Sequence, residues 1–194
     1  MINILRKVEK VIPSYRMLKQ FSHAIILSKI RYGLSLWGSL FPIPGMLQDK
    51  NNRTGNKQSL LKIECSLNHV ARIMISFKGK YQDMPIETLY KKANISSFSQ
   101  MIAEATLMDI WNIIKLKIPK FHANEFKESS GTYELRSGSK IVFEFDKYMV
   151  NSFFHRAALL WNLLPGNMKM IENRNRYKSE VKSWILQNVK LKLG

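Results

Sequence analysis

The sequence has a single cysteine, Cys65, in 194 residues. That excludes an internal disulfide and fits a reducing compartment. Acidic residues are scarce, 14 against 31 lysines and arginines, and no two of them are adjacent. The paired carboxylates that hold catalytic magnesium ions in many polymerases therefore have no counterpart here. The nearest substitute is Glu144-Phe145-Asp146, whose acids would share one face of a strand. Lys147 follows directly and no third acid has an evident role, so a solvated strand face is the expected reading.

His23, His69, His122 and His155 are widely spread and give no zinc-ligand spacing with Cys65. Cys65 itself is expected in the core. There is no glycine-rich phosphate loop and no nucleophile elbow. The apolar stretch 24–47 is broken by Lys29, Arg31, Pro42 and Pro44, which argues against a membrane span. Charge begins at Arg6, so no secretory h-region precedes it. The expectation is an intracellular protein, nuclear or cytoplasmic, neither secreted nor inserted in a membrane.

What is abundant is positive charge and apolar surface. The net charge is +17, and 45% of the residues are hydrophobic. A sizeable core can form, and a polyanionic partner, most often nucleic acid, is favoured. Residues 1–31 carry +6, 50–80 carry +6 and 169–194 carry +5, while 81–118 are neutral. The blocks point to a binding surface on particular elements rather than a uniform coat.

The periodicity predicts a mainly α-helical chain with at most a short β hairpin or strand. A short helix is expected at 2–12, ending before Pro13, and a longer one at 14–37. In the latter Leu18, Phe21 and Ile25 share one face, and Arg16, Lys19 and His23 another. Residues 38–57 read as loop. Leu60, Ile63, Leu67, Val70 and Met74 form an a/d stripe on a helix over 58–76. Pro85 opens a short helix, and Ser97-Phe98-Ser99-Gln100 is a capping box for a helix to about Lys117, with Leu107, Trp111 and Ile114 inward. Residues 128–140 are loop-like, and Ile141 to Phe145 is the best strand candidate. A helix at 151–163, a Pro165-Gly166 turn and a helix at 175–189 complete the chain. In the last, Tyr177, Val181, Trp184 and Ile185 face inward. Tyr32, Trp37, Trp111, Trp161 and Trp184 could stack on bases, but most lie on apolar faces, where core packing is expected.

Several motifs fall in a familiar order. Leu5-Arg6-Lys7-Val8 and Ile12-Pro13 precede Ile25-Ile26-Leu27-Ser28-Lys29-Ile30-Arg31-Tyr32-Gly33-Leu34-Ser35-Leu36-Trp37-Gly38. Asn68 with Ala71-Arg72-Ile73 follows, then Pro85-Ile86-Glu87-Thr88-Leu89, Tyr133-Glu134-Leu135-Arg136, and Trp161-Asn162-Leu163-Leu164-Pro165. The ordered set resembles the thumb and C-terminal region of the reverse transcriptases of non-LTR retrotransposons of the jockey-like kind. It departs from that family in lacking fingers, a catalytic palm, an endonuclease and a Cys/His knuckle. The resemblance implies a severed thumb, from a truncated copy or a longer protein, with no catalysis of its own and no cofactor in this chain, since magnesium would belong to the palm.

It also implies thumb-like helices at 1–38, a polar loop at 39–57, a helical bundle at 58–118, a loop or strand linker at 119–150 and a helical element at 151–194. The implied partner is RNA or an RNA/DNA duplex, with the palm and fingers as further partners. Arg6, Lys7, Lys10, Arg16 and Lys19 are the first candidates to face the duplex. Arg72, Lys78 and Lys80 come second, and Arg174, Lys178 and Lys182 third. The competing reading is a helical protein-interaction module that docks a palm domain or another partner through its apolar stripes, notably that of 60–74.

Overall fold

The structure, a computed structural model, describes residues 7, 10, 11, 14–38, 41, 43, 54–120, 126–128, 141–143 and 152–189. Most of the expected 2–12 helix lies outside them; Lys7, Lys10 and Val11 are helical. Helix α1 (Tyr15–Ser22) runs through a π-helical turn, His23–Leu27, into α2 (Ser28–Arg31), and α3 (Leu34–Trp37) follows. Helix α4 is Thr54–Met74, and a 3-10 turn, Tyr81–Asp83, leads to α5 (Ile86–Ala93). Helix α6 (Phe98–Trp111) ends in a second π turn, Asn112–Leu116. Strands β1 (Phe126–Glu128) and β2 (Ile141–Phe143) pair antiparallel, Phe126 opposite Phe143. Helices α7 (Phe153–Leu163), α8 (Gly166–Lys169) and α9 (Arg174–Asn188) close the described chain. The protein is mainly α, with one short β ladder.

Helix α6 is the hub. Eleven of its fourteen residues are buried, which identifies a helix enclosed on all sides rather than an amphipathic surface helix. Helix α3 from the N-terminal side, α4 from the middle and α7 and α9 from the C-terminal side all pack on it. Its first turn is satisfied from several directions. The Gln100 amide donates to Ser97 Oγ (3.2 Å), and the Ser97 amide donates to Gln100 Oε1 (2.9 Å), the expected capping box. The Phe98 amide donates to Glu64 Oε1 (3.1 Å) on α4, and Tyr90 Oη on α5 donates to Glu64 Oε2 (3.0 Å). One carboxylate thus joins three helices. Burial pushes its pKa up, partly offset by the Tyr90 hydroxyl and the amides of Phe98 and Ser99.

Two further polar locks join distant segments. Arg156 on α7 is only 6% exposed; its Nη1 donates to the carbonyls of Phe41 and Gly38, the latter at 3.1 Å. Gly38 lets α3 approach closely: a Cβ there would lie 3.0 Å from Ile102 Cγ1 on α6. Trp111 stacks on Tyr177 of α9 with ring centroids 5.5 Å apart. Trp111 Nε1 donates to the Ile171 carbonyl (2.9 Å), and Tyr177 Oη donates to the Leu107 carbonyl (3.3 Å). Trp37, Phe41 and Phe98 form a second aromatic group, so Trp37, Trp111 and Trp161 serve packing.

Several expectations need correcting. The 14–37 helix is broken at Gly33, whose φ of +61° favours glycine and starts α3 afresh. The π turn adds a residue to one helical turn and rotates the downstream face. Ile26 and Leu27 are buried, whereas Ile25 is exposed. Helix α4 begins at Thr54, inside the expected 38–57 loop. Cys65 is exposed, because it lies off the stripe whose Leu67, Val70 and Met74 are buried. Glu128 belongs to β1 rather than to a loop, and Pro165 caps α8 rather than making a simple turn. Glu144 and Asp146 lie outside the described residues.

Candidate nucleic-acid interface

Helix α1 packs its Leu18–Ser22 side against α4 and leaves the opposite side to solvent. Arg16 is exposed there, Lys19 is half-buried, and His23 follows one turn later in the π segment. Tyr15 Oη donates to the Lys92 carbonyl (3.1 Å), fixing the start of α1 against the end of α5. Lys7 and Lys10 are exposed; Arg6 lies outside the described residues.

Helix α9 has the same division. Asn173 Oδ1 accepts from the amides of Asn175 and Arg176, both at 3.0 Å, and so sets its start. Tyr177, Val181 and Ile185 are buried, as expected, with Trp184 half-buried at the margin. Arg174, Lys178 and Lys182 recur at one-turn spacing and are exposed. They span about 12 Å along the axis at 1.5 Å per residue. Lys182 Nζ lies 3.9 Å from Glu104 Oε1 on α6.

Charges from both helices bear on His23. Burial lowers the pKa of this imidazole first, and the charges of Arg31, Lys19 and Lys182 lower it further. Arg31 lies outside the candidate basic faces of the sequence. The spacing places His23 on the Arg16–Lys19 face, but no sequence signal announces that the Lys182 charge bears on it.

The middle group divides. Lys78 and Lys80 are exposed in the segment after α4, where the Lys80 amide donates to Asp83 Oδ2 (2.8 Å). Arg72 is a correction to the expected surface: it is only 8% exposed, with its guanidinium carbon 5.6 Å from the Phe77 ring centroid. The last turns of α4 are buried on more than the stripe side, since Val70, Ala71, Ile73 and Met74 are all enclosed. Arg72 is thus a packed cation, poorly placed to meet a ligand from solvent. Tyr32 stands out among the aromatics at 86% exposed, its carbonyl held by Trp37 Nε1 (2.8 Å).

Among the described residues no group of three or more His, Cys, Asp or Glu side chains could hold a metal ion. No described helix is long and apolar enough to cross a membrane. Comparison with protein families, with curated proteins and with solved structures finds no match.

Proposed function

We propose that the chain is the thumb and C-terminal helical part of a non-LTR retrotransposon reverse transcriptase, acting inside the cell and binding RNA or an RNA/DNA duplex. It has no catalytic step of its own; magnesium and the reacting groups would belong to a palm domain. The observation that supports this most is the pair of basic faces on α1 and α9, with Arg16, Arg174, Lys178 and Lys182 exposed. Such faces suit phosphate contacts, which give affinity and register without reading sequence. Arg16, Lys19, Arg174, Lys178 and Lys182 form the principal surface, Lys7 and Lys10 extend it, and Lys78 and Lys80 add a separate basic segment.

The test is a salt titration of binding to an RNA/DNA hybrid duplex. With about five phosphate contacts, affinity should fall several-hundred-fold between 50 and 200 mM salt. Weak binding that is insensitive to salt would end the proposal.

A second reading, a helical module docking a palm or another protein, rests on a different observation. The 60–74 stripe is used by the chain's own core, but Leu159 and Leu163, one turn apart on α7, remain exposed. A module of this kind should bind a hydrophobic dye or self-associate. A dye-silent monomer counts against it.

A further inference from the structure

We propose that Tyr32 is a stacking platform for one unpaired base of the bound nucleic acid, so that the chain prefers a duplex carrying a single-stranded extension. The inference rests on the nucleic-acid reading above and deepens it from backbone contacts to a contact with a base.

A single exposed ring is ordinary on a protein surface. What sets Tyr32 apart is the fixed backbone beneath it. At 86% exposed it far exceeds the other tyrosine and tryptophan side chains described; Tyr15, at 45%, donates its hydroxyl to the Lys92 carbonyl. Tyr32 closes α2, its amide donating to the Ser28 carbonyl (3.0 Å), and its own carbonyl accepts from Trp37 Nε1 (2.8 Å). Gly33, at φ +61°, turns the chain there, and its carbonyl accepts from the amides of Leu36 (3.0 Å) and Trp37 (3.2 Å). Trp37 in turn stacks on Phe98 of the hub helix, with ring centroids 5.5 Å apart. Leu27 before the corner and Leu34 after it are fully buried. The corner is therefore anchored to the core while its ring stays in solvent.

Charge decides what covers the ring. Lys29 and Arg31, its neighbours in the chain, are exposed, and residues 10–48 hold five lysines and arginines with no acid. A single-stranded nucleic acid is an anionic chain that carries flat apolar faces, and so matches both the charge and the ring. Within a duplex the base faces are covered by their neighbours, so only an unpaired or terminal base offers one. Ordering a tyrosine side chain fixes only two torsions, and the backbone beneath is already held. Little conformational freedom is therefore lost on stacking.

The experiment compares the affinity of the full chain for an RNA/DNA hybrid duplex with and without a short single-stranded RNA extension. The extension should tighten wild-type binding about tenfold. An extension of abasic nucleotides, which keeps the phosphates and removes the bases, should give little of that gain, and this arm needs no variant. Tyr32→Ala should remove most of the gain and leave the salt slope as it is, because the ring meets no phosphate. Tyr32→Phe should keep the gain within about twofold, since the ring rather than the hydroxyl makes the contact. A gain that survives Tyr32→Ala, a full gain from the abasic extension, or a phenylalanine variant as weak as alanine would each overturn the stacking site. If Tyr32→Ala spares the gain but suppresses self-association of the chain, the ring is a protein contact and the proposal falls. A wild-type chain that binds the duplex but gains nothing from the extension overturns this inference alone. One that binds neither form overturns the duplex reading as well.

Discussion

Replacing Glu64 by alanine removes the acceptor for two donors at once, the Tyr90 hydroxyl (3.0 Å) and the Phe98 amide (3.1 Å). Each donor left without a partner in the interior costs about 1–3 kcal/mol, and the loss of a costly buried carboxylate returns part of that. A net loss of about 2–4 kcal/mol follows at pH 7, or about 5–15 °C in Tm for a chain of this length. Glu64→Gln behaves differently. Its carbonyl oxygen can accept from Phe98, and its NH2 can face Tyr90 once that hydroxyl turns to act as acceptor, so the cost should stay within about 1 kcal/mol.

The pH dependence separates the two ideas of what Glu64 does. Its folded-state pKa is raised above the ordinary 4.5, so the folded chain holds that proton more tightly than the unfolded chain. The resulting stability is fully present below 4.5 and is lost as pH rises through the folded value. Wild type should therefore gain on Glu64→Gln as pH is lowered from 7 towards 4.5. Urea unfolding of the wild type and both variants at several pH values measures all of this. If glutamine costs as much as alanine at pH 7, charge rather than hydrogen bonding holds the three helices. If alanine costs under 1 kcal/mol, the junction is not structural at all.

Gly38→Ala should cost about 1–3 kcal/mol in thermal melts through its clash with Ile102. Gly166→Ala, where a Cβ meets nothing within 4 Å, should be neutral or stabilise by up to about 1 kcal/mol. Arg156→Met strips the Gly38 and Phe41 carbonyls of a donor and should cost about 2–4 kcal/mol in urea titrations. Tyr177→Phe keeps the stack on Trp111 but leaves the Leu107 carbonyl without that donor, so about 1 kcal/mol is expected, with the near-UV circular dichroism of Trp111 largely retained.

Local rules carried the reading where one helix decides its own fate. The Ser97–Gln100 box, the Tyr177–Val181–Ile185 face and the Arg174–Lys178–Lys182 face depend only on spacing along a regular helix. The reading failed where regularity fails: the π turn at His23–Leu27 shifts burial from Ile25 to Ile26, and Gly33 interrupts what looked continuous. It also failed where tertiary packing overrides residue type, since Arg72 is enclosed and Cys65 exposed. In the candidate site the basic faces were legible singly. That charges from both bear on the His23 imidazole was not, because it depends on how the core places α1 and α9.

The enclosed hub has a consequence in time. Helix α6 is complete at Trp111, yet two of the helices that cover it, α7 and α9, follow a long intervening segment and end only at Asn188. Synthesis of that stretch takes on the order of 4–15 seconds at 5–20 residues per second. Until α7 and α9 emerge within that interval, the apolar faces of Leu107, Ile110 and Trp111 lack their C-terminal cover, Tyr177 included. A nascent chain arrested before Ser152 is therefore the species that a chaperone should hold, and slower translation through residues 112–152 should lower the yield of soluble protein rather than raise it.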